Sequence, residues 1–170
     1  IAESVRDEVT AMVTEVGENI VVRRNTRFAL DGSGLVTSYI HLGNTIGVLI
    51  EVGCEKAETA TQDAFKEVVR DLTLHIAACS PSYLTSDEIP SDVIESEREI
   101  YANQMKDKPA EILDKIVDGK IKKFYSDVCF VDQAFVKDPD KSISGLLAEA
   151  GRELDDTLTI RRFVRYQIGE

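Results

Sequence analysis

Two histidines, His41 and His75, and three cysteines, Cys54, Cys79 and Cys129, are the residues of this chain best suited to proton transfer, nucleophilic attack or metal binding. Their spacing favours none of these. The cysteines lie far apart inside apolar runs, with no Cys-x-x-Cys and no His-x-x-x-His nearby, the pattern of reduced cytosolic thiols used as small hydrophobes. His75 stands between Leu74 and Ile76 in a buried-looking helical stretch with no identifiable second partner, so it reads as a hydrogen-bonded structural histidine. His41 ends an alternating run beside a loop, where contact with a partner and simple solvation are equally open.

Motifs that carry phosphate, nucleotide or acyl chemistry do not appear. The chain has no G-x-x-x-x-G-K-[ST], no G-x-S-x-G and no H-E-x-x-H. GSGLVT, Gly32 to Thr37, has two glycines spaced as in a dinucleotide fingerprint but lacks the third and sits between two strand-like runs, so a hairpin turn is expected there. KIKKFY, Lys120 to Tyr125, sets three lysines beside two aromatics; cations in the last turn of a helix explain it more simply than a nucleic-acid patch. Asp155 with Asp156, and Glu95 with Glu97, read as solvated charge. No catalytic residue, metal ligand, cofactor or direct nucleotide site is expected.

The bulk numbers agree with a binding module. A formal charge of -11 repels a polyphosphate backbone. Arg23, Arg24 and Arg27, and again Arg161, Arg162 and Arg165, form local basic clusters, expected to lie on a solvated sheet face or to pair with some of the 31 acidic residues. At 170 residues the chain can bury about 70% of its unfolded surface, and no apolar run reaches the roughly 18 residues needed to cross a bilayer. It opens at Ile1, inside a helical pattern and without a methionine or signal peptide, as an excised fragment would.

Periodicity supplies the elements. Val5, Val9, Met12, Val13 and Val16 recur at helical spacing until Gly17 stops them. Ile20, Val22, Phe28 and Leu30 then alternate with Arg23, Asn25 and Arg27, which predicts a half-buried strand, and DGSG at Asp31 to Gly34 predicts that Leu35 to Ile40 folds back antiparallel to it. After a short loop at Leu42 to Asn44, Ile46 to Val52 is apolar on both faces and reads as a central strand. Phe65, Val68, Val69, Leu72, Ile76 and Cys79 form one helical stripe that Pro81 ends. Ile160, Arg162, Val164, Tyr166 and Ile168 alternate as a last strand.

Residues 91–122 differ in kind. Val93, Ile94, Ile100, Tyr101 and Met105 form a narrow stripe, KDKP at Lys106 to Pro109 breaks it, and Ile112, Leu113, Ile116, Val117 and Ile121 form a second. Two such helices joined by a short loop must pair antiparallel. The expected fold is α+β: an antiparallel sheet of three to four strands packed on helices, with a protruding antiparallel helical hairpin. The core is assigned to residues 1–85 and 125–170, and the hairpin insertion to 86–124.

HLGNTIGVLIEVG (His41 to Gly53), HIAACSPSYL (His75 to Leu84) and GKIKKFYSDVCFVDQAFVKD (Gly119 to Asp138), with VGEN (Val16 to Asn19), IPSDVIESEREI (Ile89 to Ile100) and RRFVRYQIGE (Arg161 to Glu170), follow one another in an order that resembles the C-terminal half of bacterial elongation factor Ts. The resemblance implies a cytoplasmic guanine-nucleotide exchange factor that binds the GTPase elongation factor Tu and promotes GDP release, with no covalent step. It implies contact residues as well: Val16 and Gly17 match the hydrophobic-glycine pair opening this half, His41 the histidine after S-Y-x, and Val136 and Lys137 the pair after Q-x-F. Lys137 departs from relatives that carry an apolar residue there. The family's N-terminal helical domain and its T-D-F-V wedge are not found in these residues, and EKAETATQDAF (Glu55 to Phe65) contains no T-D-F. A docking half is therefore expected. The alternative is a structural module of a degenerate paralogue, self-associating into a homodimer through the stripe of Val93, Ile100, Ile112 and Ile116.

Overall fold

The computed structural model describes residues 3–41, 43–105 and 109–170. Ile1, Ala2, Leu42 and residues 106–108, which hold most of the KDKP break, lie outside them. The elements are α1 (Glu3–Val16), β1 (Gly34–Ile40), β2 (Ile46–Cys54), α2 (Asp63–Cys79), α3 (Ser91–Gln104), α4 (Ala110–Val128), β3 (Ala134–Phe135), β4 (Asp138–Ser142), α5 (Ile143–Glu153) and β5 (Leu158–Gln167). Antiparallel strands in the order β1-β2-β5 form one sheet, and β3 pairs with β4 in a second. The class is α+β.

β2 is central, paired with β1 along one edge and β5 along the other, and its alternate residues serve two different faces. Val48, Ile50 and Val52 are buried against Phe65, Val69, Leu72 and Ile76 of α2 and Ile143 and Ala150 of α5, and Ile160 of β5 joins them. Each fully buried side chain of this size contributes about 1.5–3 kcal/mol by leaving water. α2 ends where Ser80 takes the left-handed conformation, φ 49°, and donates its N–H to the Ile76 carbonyl at 3.1 Å, just before Pro81. α5 begins with a side-chain cap: Ser142 Oγ accepts the Gly145 N–H at 3.1 Å.

β5 does not alternate through its whole length. Glu51 pairs with Arg162 but Val52 with Ile160, so Arg161 is an extra residue on β5, a bulge. Ile160 and Phe163 both pack toward the core, three residues apart, and the single alternating set Ile160, Arg162, Val164 breaks there. The bulge also brings Arg161 and Arg162 to the same carboxylate, Glu51, at 3.1 and 2.6 Å. A Cβ on Gly53 would fall 2.5 Å from Arg161 Nε, so glycine makes room for this guanidinium.

Residues 17–33 form no strand. The alternation of Ile20, Val22, Phe28 and Leu30 is real, but this segment is held by side chains instead of a backbone ladder. Arg162 donates to the Ala29 carbonyl at 2.9 Å and lies 4.3 Å from the centre of the Phe28 ring, Arg161 donates to the carbonyls of Asp31 and Ser33, and Asp31 N–H donates to Glu51 at 3.3 Å. β1 accordingly folds back on β2, not on the 20–30 run.

α3 and α4 pair antiparallel, tied by Arg98 and Asp118 at 2.6 Å. Val117 and Ile121 are buried along the pair, and Pro109 accepts the first two amide bonds of α4 from Ile112 and Leu113. α4 continues to Val128, so Lys120, Lys122 and Lys123 lie in mid-helix, and no basic residue occupies its last turn. The expected helix-end electrostatics do not apply; Lys120 instead rests 5.9 Å from the centre of the Tyr101 ring of α3. Among the described residues no helix is long and apolar enough to cross a membrane.

Candidate partner-docking surface

Val16 and Gly17 close α1. Val16 is 58% exposed, and Gly17, at φ +75°, donates its N–H to the Val13 carbonyl at 2.9 Å, a helix stop that a residue with a Cβ makes under strain. The helix ahead of them buries no residue. His41 follows β1 directly, exposed, with its Nδ1 3.1 Å from the Tyr39 hydroxyl; its backbone N–H donates to the Ile46 carbonyl and its carbonyl accepts from Asn44, both at 2.9 Å. These bonds fix the β1–β2 corner that carries it.

Val136 and Lys137 form the turn between β3 and β4, and both are exposed. α2 holds this turn. Lys137 Nζ reaches Asp71 at 2.6 Å, and the Val136 N–H donates to His75 Nδ1 at 3.2 Å. His75 is fully buried between Phe130 and Phe135, with ring centroids 5.7 and 6.2 Å away. Since a backbone N–H can only donate, Nδ1 carries no proton and Nε2 does; Nε2 donates to Gln133 Oε1 at 2.9 Å, and the Gln133 amide donates to the Asp127 carbonyl at 2.8 Å. Burial lowers the His75 pKa, against the Gln133 hydrogen bond that raises it, and so keeps the ring neutral.

The five residues the resemblance singles out thus fall at three places: the end of α1, the β1–β2 corner and the β3–β4 turn. No hydrogen bond or ion pair among the described residues joins one place to another. His75 is structural, as its flanks suggest, yet its link to Val136 is one that no spacing rule reveals, because the partners are 61 positions apart.

Elsewhere the surface offers little for covalent chemistry. Burial pushes the Cys129 thiol up to about 11 and raises those of Cys54 and Cys79, which disfavours the nucleophilic thiolate. Among the described residues no group of three His, Cys, Asp or Glu side chains is placed to hold a metal ion. Asp156 is more than solvated charge: the Thr59 hydroxyl beside it, with the N–H groups of Lys56, Glu55 and Thr157, holds its carboxyl down to about 2.

A family model described as Elongation factor TS matches residues 2–170. The chain is 37% identical to elongation factor Ts of Trichlorobacter lovleyi over 171 residues, covering 99% of this chain and 55% of that protein. It is 44% identical to the Clostridium perfringens SM101 factor over 170 residues, 99% of this chain and 54% of the relative. With the factor of Geobacter sp. M21 it shares 46% over 139 residues, 81% of this chain and 64% of the relative. The chain spans about half the length of the first two relatives.

Proposed function

Because this chain belongs to the elongation factor Ts family, we propose that it is the docking half of a cytoplasmic guanine-nucleotide exchange factor, one that grips elongation factor Tu and makes and breaks no bonds. The family match over residues 2–170 carries this reading. Support comes from the exposure of Val16, Gly17, His41, Val136 and Lys137, which leaves all five free to meet another protein. The body, residues 1–85 and 125–170, supplies the grip. Residues 86–124 are a helical hairpin inserted into it.

Exchange by such a protein is differential binding. A factor that binds the nucleotide-free GTPase more tightly than the GDP-bound one weakens GDP binding by the same ratio. This half holds a region of the GTPase in the geometry that favours release, and the segment outside these 170 residues disturbs the nucleotide site itself. No cofactor enters.

Release of a fluorescent GDP analogue from elongation factor Tu tests the division, together with titration of binding. The chain should bind and accelerate release only slightly. Release at the rate given by a full-length relative would refute the division of labour, and absence of binding would refute the docking role.

A second reading rests on Ile100 and Ile112, which stay exposed on α3 and α4. A hydrophobic pair of this kind suits self-association between hairpins. Light scattering decides: a stable dimer that does not capture elongation factor Tu favours it.

A further inference from the structure

Asp71 and His75 lie one turn apart on α2 and hold two consecutive residues, Lys137 and Val136, of the β3–β4 turn. We propose that they form a two-point clamp whose task is to position this turn for the partner, His75 by accepting the Val136 amide and Asp71 by taking the Lys137 ammonium. The clamp rests on the docking role given above; its geometry does not.

Three observations converge on it. First, the turn has few other supports: β3 is two residues long, its pairing with β4 breaks register between Ala134 and Phe135, and the Val136 side chain is 45% exposed. Phe135, buried at 5% exposure, anchors one side only. Second, a buried imidazole is costly unless its polar atoms are bonded, and a leucine at this site would avoid that cost. Here both nitrogens are used, one toward Gln133 and the α4 terminus, the other toward Val136. Third, Lys137 is folded back on Asp71, a carboxylate that is only 19% exposed, so the charge is met within the chain. What remains for a partner is the lysine stem.

The charged and titratable groups within four residues of His75 on α2 are Asp71 and Cys79; near its partners in the chain are Lys137 on the turn, Asp138 at the start of β4, and Asp127, Cys129 and Asp132 where α4 runs into the next turn. None of them hydrogen-bonds to the ring in the structure. The ring therefore acts as a neutral fastener.

Two substitutions separate clamp from core. His75→Asn places a carbonyl oxygen where Nδ1 stood, keeping the acceptor for Val136 and losing Gln133; His75→Gln places an amide near Nε2, keeping Gln133 and losing Val136. Each loses one hydrogen bond, so their thermal stabilities should fall alike. The clamp predicts that H75Q binds elongation factor Tu about fivefold more weakly, the factor for one lost neutral hydrogen bond, while H75N stays within about twofold of the parent. Amide hydrogen exchange at Val136 should accelerate in H75Q and stay slow in H75N. Equal weakening in both variants, or unchanged Val136 exchange in H75Q, overturns the proposal. Should H75Q fail to fold, Asp71→Asn replaces it: binding should weaken about twofold, in the range of an exposed ion pair, and unchanged binding counts against the clamp. Failure of the docking role is distinguishable, since the unaltered chain would then not bind at all while Val136 exchange still reports the clamp without any partner.

Discussion

Ile50 and Glu51 are neighbours on β2 and are buried to 0% and 1% exposure, yet the two faces of the sheet they serve are held in opposite ways. On the α2 side, Val48, Ile50 and Val52 belong to one apolar cluster, and the stabilisation is area removed from water. On the other side Glu51 binds Arg161, Arg162 and the Asp31 N–H, and through them a segment with no strand of its own is fastened over the sheet. Arg24 over the Tyr166 ring at 4.6 Å and Thr26 hydrogen-bonded to the Tyr166 hydroxyl extend the fastening. Equal depth does not mean equal chemistry. The apolar face tolerates any well-filled arrangement, whereas the polar face works only if each bond finds its partner.

The largest effect that separates the faces should come from Phe65→Ala, a fully buried ring on the α2 side. It should cost about 3–5 kcal/mol in urea unfolding. Glu51→Ala should cost less, about 1–3 kcal/mol, because the two arginines it strands are 31% and 47% exposed and recover water. A Glu51→Ala loss exceeding that of Phe65→Ala would break the contrast.

Acid sharpens it further. Burial pushes the Glu51 carboxyl up, but hydrogen bonds from Arg162, Arg161 and the Asp31 N–H outweigh burial and hold it below its ordinary value of 4.5. Asp156 is held at about 2 against an ordinary 3.8. Both carboxyls take up protons in the unfolded chain before the folded one, so their stabilisation is complete above their ordinary values and is lost as pH falls through the folded ones. Unfolding titrations from about pH 5 to about pH 2 should show this slope, and Asp156→Asn should flatten its lower end. His75, lowered by burial, adds loss below its ordinary 6.5 in the same direction. Smaller still, Phe28→Leu should cost about 0.5–1 kcal/mol by removing the ring beneath Arg162. Arg98→Ala, in the exposed pair with Asp118 on the hairpin, should change stability by less than about 1 kcal/mol in thermal unfolding.

The apolar face was legible because its signal is periodic. α2, β2 and most of β5 follow from residue spacing alone, as does the pairing of α3 with α4. The polar face was half legible. Alternation over Ile20 to Leu30 reports extended backbone with two unlike sides, and nothing in that pattern says whether a ladder or a set of arginines will hold it. The bulge did leave a mark, two consecutive arginines between Ile160 and Phe163, where a regular strand would place one polar residue. α5 also left one, Ser142 ahead of Ile143, Leu146, Leu147 and Ala150 at helical spacing. For the proposed docking surface the residues came from resemblance, and their exposure from the structure. The bonds that orient Val136 cross the chain between distant segments and have no local signature.

Chain length beyond the bulge at Arg161, and not only residue type, is part of what specifies this sheet. Everything from Phe163 onward is aimed correctly because the bulge absorbs one surplus residue without inverting the alternation. Trimming Arg161 would leave Ile160 and Phe163 two residues apart, so a regular strand would still hold both toward the core, and only the bonds of Arg161 to Glu51, Asp31 and Ser33 would go. Swapping Arg161 for another side chain would forfeit only its own bonds. Adding or removing a residue between Phe163 and Gln167, where the pairing is regular, would instead invert every face beyond it, a stricter bar there than exchange of one amino acid for another.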